Sequence, residues 1–379
     1  MDKQKAGIYL HIPFCKQACY YCNFHFSTSL RYKKQVINAL KEELILRQHY
    51  LRGASIGTIY FGGGTPSLLK SSEVKDLLAH IQTLFPCVEE MEVTLEGNPD
   101  DLSLNYLRQL WEAGVNRLSI GIQSFDDQVL ASLNRAHSGK EAHACVNNAR
   151  KAGFTNFSID LMYGLPARPA GQWAQEINTA LSLAPPHISA YCLTIEPNTV
   201  FGHRKKRGSF IPLSEEIEAE QFTTLKKMLE ANGYVHYEIS NFCQLPYYAK
   251  HNTHYWQGVP YLGIGPSAHS YDGKSRQYNV AHNKTYIDTI AKKTIPARKE
   301  FLSAEDHINE YIMLSLRTVW GCDLTYMRRY YYHDLLKTRK KEITLAKEQG
   351  LLTQQDTLLL LTPKGQLVAD EIAKSLFNY

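Results

Sequence analysis

Cys15-Lys16-Gln17-Ala18-Cys19-Tyr20-Tyr21-Cys22 is the stretch that decides the fold, because it places three thiols within eight residues on a loop. The loop follows a short alternating strand that ends at Ile12, and no fourth cysteine comes soon after it. A structural zinc site needs four ligands, usually two pairs from separate stretches. A cubane iron–sulfur cluster held by three thiolates leaves one iron open to another ligand. The spacing therefore favours a four-iron cluster with a free iron. Zinc, with His11 or His25 as its fourth ligand, remains an alternative.

The composition is that of an ordinary folded chain without a secretory or membrane-spanning signal. Of 379 residues, 44% are hydrophobic and the net charge is +5, which permits an anionic ligand or a membrane surface but requires neither. The polar start, Met1 to Gly7, has no apolar segment after it, so we expect a cytoplasmic protein with reduced thiols. We expect the scattered cysteines to be reduced and mostly buried; these are Cys87, Cys145, Cys192, Cys243 and Cys322.

Strands and helices alternate over about the first 235 residues. The predicted strands are 7–12, 58–61, 92–96, 117–122, 157–161 and 187–191, with helical patterns between them and a last helix at 215–232. Such alternation predicts parallel strands joined by helical crossovers. In (β/α) barrels, functional groups gather at the carboxyl ends of the strands. The cysteine loop, the glycine turn 62–66, Glu96, Gln123 and Asp160 all lie at or just past predicted strand ends. This placement favours an α/β partial (β/α)6 barrel over an open doubly wound sheet.

Polar side chains on that predicted rim suggest a ligand. The glycine turn, Gly62-Gly63-Gly64-Thr65-Pro66, lacks the lysine of a phosphate-binding loop, but its glycines let backbone groups approach a ligand closely. Glu96 and Asp160 can accept hydrogen bonds from an ammonium group or from ribose hydroxyls, and Gln123 can both donate and accept. Arg135 can bind a carboxylate with two hydrogen bonds. Each residue alone is an ordinary polar residue, but together they predict a pocket for a zwitterion that carries a ribose.

The CxxxCxxC spacing, followed by Gly-Gly-Gly-Thr-Pro and a glutamate at a strand end, resembles the radical S-adenosylmethionine (SAM) enzymes. The resemblance implies that Cys15, Cys19 and Cys22 hold a 4Fe–4S cluster and that the amino and carboxylate groups of SAM chelate its open iron. It also implies that an electron from the reduced cluster cleaves SAM to methionine and a 5′-deoxyadenosyl radical, while the protein supplies orientation and a dry cavity. The SAM pocket carried over by position is Tyr9, Tyr21, Gly63, Gly64, Thr65, Glu96, Gln123, Arg135 and Asp160.

Within that superfamily the chain is more similar to the oxygen-independent coproporphyrinogen III oxidase group. The likeness rests on residues 9–15 (YLHIPFC), 121–125 (GIQSF) and 160–166 (DLMYGLP), and it extends along almost the whole chain. The oxidase branch has a further cysteine where this chain has Phe24, and an N-terminal arm where this chain has only 14 residues before Cys15. Residues 251–256 (HNTHYW) match HNxxYW, which is typical of the heme-chaperone branch. All three features favour the heme-chaperone branch.

That branch resembles proteins that bind heme and pass it to hemoproteins such as respiratory cytochromes. The cofactors it implies are heme, a 4Fe–4S cluster and SAM. Radical chemistry is possible, but coproporphyrinogen oxidase activity is not expected. The alternative function is the oxidase itself, which converts coproporphyrinogen III to protoporphyrinogen IX, and a nucleic-acid-binding regulator is a third class. A transient encounter with a membrane is compatible with the mild positive charge.

The HNxxYW motif lies in a predicted connecting segment, residues 236–300, between the barrel (1–235) and a C-terminal domain (301–379). Imidazole is the usual axial ligand of heme iron, so His251 and His254 are heme candidates. Tyr255 and Trp256 could stack on a flat macrocycle. The alternative is that the motif seals the bottom of the barrel or orders the joint between the domains.

The C-terminal domain is predicted to be helical with a short hairpin near 350–361 and a final helix through Phe377. This order of elements resembles a winged-helix domain. The basic residues near 337–347 suggest nucleic acid only weakly, because charge on an exposed helix is usually a solvated face. No nucleic-acid partner is expected, and a docking or lid role is favoured.

Overall fold

The computed structural model of the chain describes residues 5–166, 168–169 and 171–378. Residues 1–4 of the polar N-terminal stretch lie outside this description. In the described chain, twelve strands form one sheet and three more form a small second sheet near the C-terminus. Each sheet has its own hydrophobic core. Within these residues no helix has both the length and the apolar character needed to cross a bilayer.

Six parallel strands occupy the centre of the large sheet in chain order. They are β1 (Lys5–Ile12), β2 (Ser55–Gly63), β3 (Cys87–Gly97), β4 (Arg117–Gln123), β5 (Phe157–Tyr163) and β6 (His187–Cys192). The helices are α1 (Lys33–Leu46), α2 (Ser71–Leu84), α3 (Leu104–Glu112), α4 (Asp127–Ser132), α5 (Gly139–Lys151), α6 (Gln172–Ser182), α7 (Val200–Lys206) and α8 (Glu215–Ala231). The strands are largely buried because parallel sheets are covered on both faces. The six predicted strand–helix units are all present.

The stretch 236–300 extends this sheet at both edges, where the sequence predicted only a connecting segment. At one edge are β7 (Val235–Glu238) and β8 (Asn241–Cys243), and β8 runs antiparallel to β6. At the other, β9 (Tyr261–Ile264) runs parallel to β1 and is followed by β10 (His269–Tyr271), β11 (Ser275–Asn279) and β12 (Ala297–Phe301). The helices of this stretch are α9 (Lys250–Trp256) and α10 (Asn283–Ala291). Strands this short carry little periodicity, so they could not be recognised from the sequence.

The C-terminal region packs around a separate core that includes Ile312, Met327 and Leu359. Its elements are α11 (Ala304–Leu316), β13 (Cys322–Asp323), α12 (Leu324–Tyr330), α13 (Leu335–Thr338), α14 (Lys340–Glu348), β14 (Leu352–Gln355), β15 (Leu358–Leu361), α15 (Pro363–Gln366) and α16 (Ala369–Ser375). The predicted hairpin is present as β14 and β15. This region joins the sheet through a backbone bridge between Glu238 and Thr318.

Candidate functional site

The cysteine loop lies at the carboxyl end of β1 and is closed at its base. Phe14 and Ser27 form a parallel bridge, and the Cys15 amide donates a hydrogen bond to the Ser27 carbonyl oxygen at 3.0 Å. Cys15, Cys19 and Cys22 are partly exposed and are free thiols. Burial raises the pKa of the Cys15 thiol to about 11, and negative charge on Cys22 or Cys19 raises it further. The three sulfur atoms are therefore close enough to influence one another.

The turn after α4 holds this loop from the other side. The Asn134 amide donates to the carbonyl oxygen of Ala18 at 2.7 Å. The guanidinium group of Arg135 donates to the sulfur of Cys19 at 3.3 Å and reaches the hydroxyl oxygen of Tyr21 at 3.5 Å. A fixed positive charge beside a thiol favours the thiolate, which is the form that binds metal.

The glycine turn at the end of β2 packs closely against the cysteine loop. A Cβ atom on Gly64 would lie 2.8 Å from the Ile12 carbonyl oxygen and from backbone atoms of Phe14. Gly63 has a φ of +108°, which disfavours other residues there. The Gly63 amide donates to Oε2 of Glu96 at 3.3 Å. Only glycine allows the turn to approach the loop and the carboxylate this closely.

Glu96 and Asp160 are half-buried carboxylates with raised pKa values. Burial raises the pKa of Glu96 to about 7 and that of Asp160 to about 6. Glu96 accepts a hydrogen bond from the Tyr60 hydroxyl at 2.8 Å, and Asp160 accepts one from Ser119 at 3.2 Å. A cationic ligand would offset the cost of ionising these groups. Asp160 lies within β5, below the predicted rim, because β5 stays paired with β6 through Tyr163.

The remaining predicted pocket residues adjoin the same centre. A Cβ atom built on Gly121 would lie 3.2 Å from Nε2 of Gln123 and 3.4 Å from Nη2 of Arg135, so both side chains reach this point. Thr65 lies beside the Cys15 thiol, where its hydroxyl lowers the pKa of that thiol. Tyr9 stacks on Tyr60, the partner of Glu96, with ring centroids 6.0 Å apart. The structure therefore brings the predicted SAM-pocket residues together around the cysteine loop.

Sequence reasoning missed Asn98 and Tyr60, which connect several of these groups. Asn98 accepts a hydrogen bond from Arg135 at 2.7 Å and donates one to Thr65 at 3.4 Å. Asn98 follows the glutamate at the end of β3, and Tyr60 shortly precedes the glycine turn. Both residues lie near the carboxyl end of a strand, and this position could have marked them as candidate pocket residues.

The donor set favours an iron–sulfur cluster over zinc. Nε2 of His11 is hydrogen-bonded to the His25 carbonyl oxygen at 2.8 Å, Nδ1 of His11 lies 3.3 Å from the Tyr9 hydroxyl, and Nε2 of His25 is hydrogen-bonded to Asn283 at 2.8 Å. Three of the four ring nitrogens therefore already have partners other than a metal. Throughout residues 5–378, leaving aside the two gaps, no group of three His, Cys, Asp or Glu side chains is arranged around a single metal ion. Three thiols on one loop, next to a glycine turn without side chains, fit the larger cluster and its open iron.

A cavity of about 1140 Å³ opens beside this site, between the β9–β11 edge, α9 and the C-terminal region. It reaches Tyr9, His11 and Phe24 near the cysteine loop. Its aromatic lining includes Tyr255, Trp256, Tyr261, Tyr271, Tyr311, Trp320, Tyr326, Tyr330, Tyr331 and Tyr332. We call this cavity the aromatic cleft.

Three histidines line the aromatic cleft: His11 near the cysteine loop, His269 of β10 and His307 of α11. Nε2 of His11 is bonded to the His25 carbonyl oxygen, so the other two are considered as ligands. Among the described residues, no hydrogen-bond partner contacts the ring nitrogens of His269 or His307. Burial and the neighbouring Arg276 lower the pKa of His269, which favours the neutral imidazole. Arg276 also forms an ion pair with Glu310 of α11 at 2.8 Å, so the two walls are joined.

The predicted heme candidates His251 and His254 do not line the aromatic cleft. His251 is buried, with Nδ1 2.8 Å from the Thr58 hydroxyl and Nε2 2.8 Å from the Tyr255 hydroxyl. Burial lowers its pKa to about 3. His254 lies near Gly57, on the side of the amino-terminal part of β2. This arrangement agrees with the alternative in which the motif orders the joint, since Tyr255 and Trp256 do line the cleft.

The fold and the three-thiol site define the class of protein. A model of the radical SAM superfamily matches residues 9–178, and a model of the HemN C-terminal domain matches residues 302–368. The solved structure described as "Coproporphyrinogen III oxidase (HemN) from Escherichia coli is a Radical SAM enzyme" aligns with 100% of this chain and 91% of its own, with a TM-score of 0.87 and 24% identity. The predicted fold class, the α/β partial barrel of radical SAM proteins, is confirmed.

Curated relatives then give the family. The heme chaperone HemW of Bacillus subtilis is 37% identical over 96% of this chain and 97% of its own length. The heme chaperone HemW of Mycobacterium tuberculosis is 33% identical over 100% of this chain and 96% of its own. The chain belongs to the HemW family. The prediction that separated it from the oxidase branch is confirmed.

Proposed function

We propose that this chain is a heme chaperone that binds heme in the aromatic cleft and passes it to acceptor hemoproteins such as respiratory cytochromes. The observation that carries the proposal is a large aromatic cavity that adjoins the cysteine loop and contains two imidazoles without hydrogen-bond partners among the described residues. The names of the curated relatives support heme as the cargo. The likeness to the oxidase is one of fold, so the oxidase activity has weaker support.

The cofactor site would hold a 4Fe–4S cluster on Cys15, Cys19 and Cys22 and SAM beside the glycine turn. When bound, the pair supplies one-electron chemistry. The chain's own residues bind and orient: the Glu96 carboxylate suits the ammonium group of SAM, and the Gly63 and Gly64 backbone leaves room beside it.

His269 and His307 are the proposed axial ligands of heme iron. Neutral imidazole is the ligand form, and the lowered pKa of His269 keeps that ring neutral at physiological pH. Tyrosine and tryptophan rings around them can pack on the faces and edges of a flat macrocycle. The cleft is also open enough for cargo to leave, because Tyr332 is 93% exposed at its margin.

The HNxxYW motif takes a supporting role in this proposal. His251 connects the Thr58 hydroxyl in β2 to the Tyr255 hydroxyl, and Tyr255 lines the cleft. Loss of His251 would therefore disturb the wall of the heme site without removing an iron ligand.

The test is an anaerobic heme titration of the reconstituted protein, followed by Soret absorbance. We expect the double variant His269→Ala/His307→Ala to shift the Soret maximum and to bind heme at least about tenfold more weakly. The exposed His49, which is not among the lining residues of the cleft, provides the matched control His49→Ala, which should behave as wild type. His251→Ala should keep the Soret maximum of the wild type.

An unchanged Soret band in the double variant would contradict the proposed ligands. Loss of the Soret band in His251→Ala, with the fold intact by circular dichroism, would instead indicate that His251 of the HNxxYW motif ligates the heme iron. In an anaerobic assay with coproporphyrinogen III, formation of protoporphyrinogen would favour the oxidase instead.

A further inference from the structure

A run of basic residues lies on α7, close to the cysteine loop. Residues 203–207 (HRKKR) are all exposed and follow one another at the end of the helix. We call them the basic patch. Within the part of the chain that the structure describes, Arg204, Lys205, Lys206 and Arg207 form no ion pair within 4.0 Å; Lys205 has Glu218 of α8 as a neighbouring charge.

The basic patch is attached directly to the cluster-binding loop. The amide of Phe201 donates to the carbonyl oxygen of Tyr20 at 3.0 Å, and the two aromatic rings meet edge to face with centroids 6.0 Å apart. The Arg204 guanidinium lies 4.4 Å from the centre of the Tyr20 ring. Tyr20 stands between Cys19 and Cys22, so a partner on α7 would sit against the loop that holds the cluster.

Exposed apolar side chains border the basic patch. Ile211 is 78% exposed and Val200 is 38% exposed, one on each side of the charges. A run of charge alone usually marks a solvated helix face. Apolar side chains beside uncompensated charges, at a fixed place near a redox site, are more typical of a surface that binds another protein.

We propose that α7 and residues 207–211 form the docking surface for a small acidic electron-transfer protein that reduces the cluster. The step transfers one electron: the donor is oxidised, the cluster is reduced, and no bond forms or breaks. Opposite charges would steer the donor to the loop and make the encounter fast, weak and sensitive to salt. The inference rests on the cluster part of the proposed function and is independent of heme.

The test measures binding to a flavodoxin, a small acidic flavoprotein, by the reconstituted protein over a range of salt concentrations. The variant is Lys206→Glu/Arg207→Glu, which leaves Arg204 in place on Tyr20. The matched control, Lys340→Glu/Lys341→Glu, makes the same change of charge on exposed residues of α14. We expect the patch variant to bind at least about tenfold more weakly at low salt and with a smaller salt dependence, and the control to bind as wild type.

Iron content and thermal unfolding are measured first for all three proteins. Absence of a four-iron cluster in the wild type would contradict the proposed cofactor site, whereas equal flavodoxin affinity of patch variant and wild type would overturn the docking surface. No binding by the wild type, or equal losses in the variant and its control, would overturn it too. So would loss of binding to vesicles of anionic phospholipid with flavodoxin binding unchanged, because the patch would then be a membrane surface.

Discussion

Nε2 of His251 and the hydroxyl group of Tyr255 lie 2.8 Å apart on consecutive turns of α9. The spacing of four residues places both side chains on one face of the helix. The amide of His251 is in turn bound by the Glu92 carboxylate at 3.0 Å, and its Nδ1 by Thr58 at 2.8 Å. The histidine of the HNxxYW motif therefore connects the barrel to the wall of the aromatic cleft, and it has no ring nitrogen to spare for iron.

This relationship predicts that Tyr255→Phe destabilises the protein. The change removes one hydroxyl group and leaves Nε2 of the buried His251 without its partner, which costs about 1–3 kcal/mol in the free energy of unfolding. Denaturant unfolding at neutral pH measures it. Tyr332→Phe is the control, because Tyr332 is 93% exposed, and we expect it to change stability by less than about 0.5 kcal/mol. Equal stability of the two variants would show that the bond contributes nothing.

A second buried network fixes the edge of the sheet that forms the cleft. Glu43 of α1 has no exposed surface, and its carboxylate accepts hydrogen bonds from Arg47, Asn279 and Tyr286. Glu43→Ala leaves the buried Arg47 without a counter-charge, and we expect a loss of about 3–5 kcal/mol. Its neighbour Glu42, 42% exposed and paired with Lys293 at the surface, serves as control, with an expected loss below about 1 kcal/mol. Chemical denaturation would compare the two, and similar losses would rule out the special role of Glu43.

The glycine turn predicts a local defect in cofactor incorporation. A Cβ atom on Gly64 would meet three backbone atoms of Ile12 and Phe14, just before the cysteine loop, at 2.8 Å, and backbone cannot move aside as a side chain can. We expect Gly64→Ala to cost about 1–3 kcal/mol and to lower the iron content after reconstitution. Gly57→Ala, within β2, meets nothing closer than 3.8 Å and should keep full iron content. Normal iron in Gly64→Ala would mean that the loop tolerates displacement.

The features that could be predicted from the sequence are those that depend on short, continuous stretches of it. The six parallel strands are apolar runs covered on both faces, and each is separated from the next by a helical pattern. The cluster-binding loop could be predicted from the spacing of its three cysteines alone. The edge strands β7–β12 were missed because three to five residues carry no readable period, and the sheet supplies their partners from distant parts of the chain.

Whether the heme candidates His251 and His254 line the cleft could not be predicted from the sequence. A histidine in a motif with two aromatic residues gave a reasonable prediction, but burial depends on which elements cover α9. Thr58, 193 residues earlier in the chain, bonds Nδ1 of His251, and Glu92, 159 residues earlier, bonds its backbone amide. The aromatic cleft likewise combines residues from Tyr9 to Tyr332, a combination that only the folded chain reveals.

Glu96 predicts a pH dependence of stability in the protein without cofactors. Burial raises the pKa of this carboxyl from 4.5 to about 7. The folded state therefore holds the proton more tightly than the unfolded state, so its stabilising effect is complete below about pH 4.5 and is lost as the pH rises through about 7. Between pH 5 and pH 8 we expect Glu96→Gln to lose about 1–3 kcal/mol less stability than the wild type.

Urea unfolding at a series of pH values measures this difference, with Glu90→Gln, an exposed position on β3, as the control that should follow the wild type. A cationic ligand in the pocket would restore the ionised carboxylate, because an adjacent positive charge offsets the cost of burying the negative one. Addition of SAM to the reconstituted protein should therefore stabilise the wild type near pH 8 more than it stabilises Glu96→Gln. Parallel pH profiles for the wild type and Glu96→Gln, with equal stabilisation by SAM, would show that Glu96 neither titrates in this range nor faces the ammonium group.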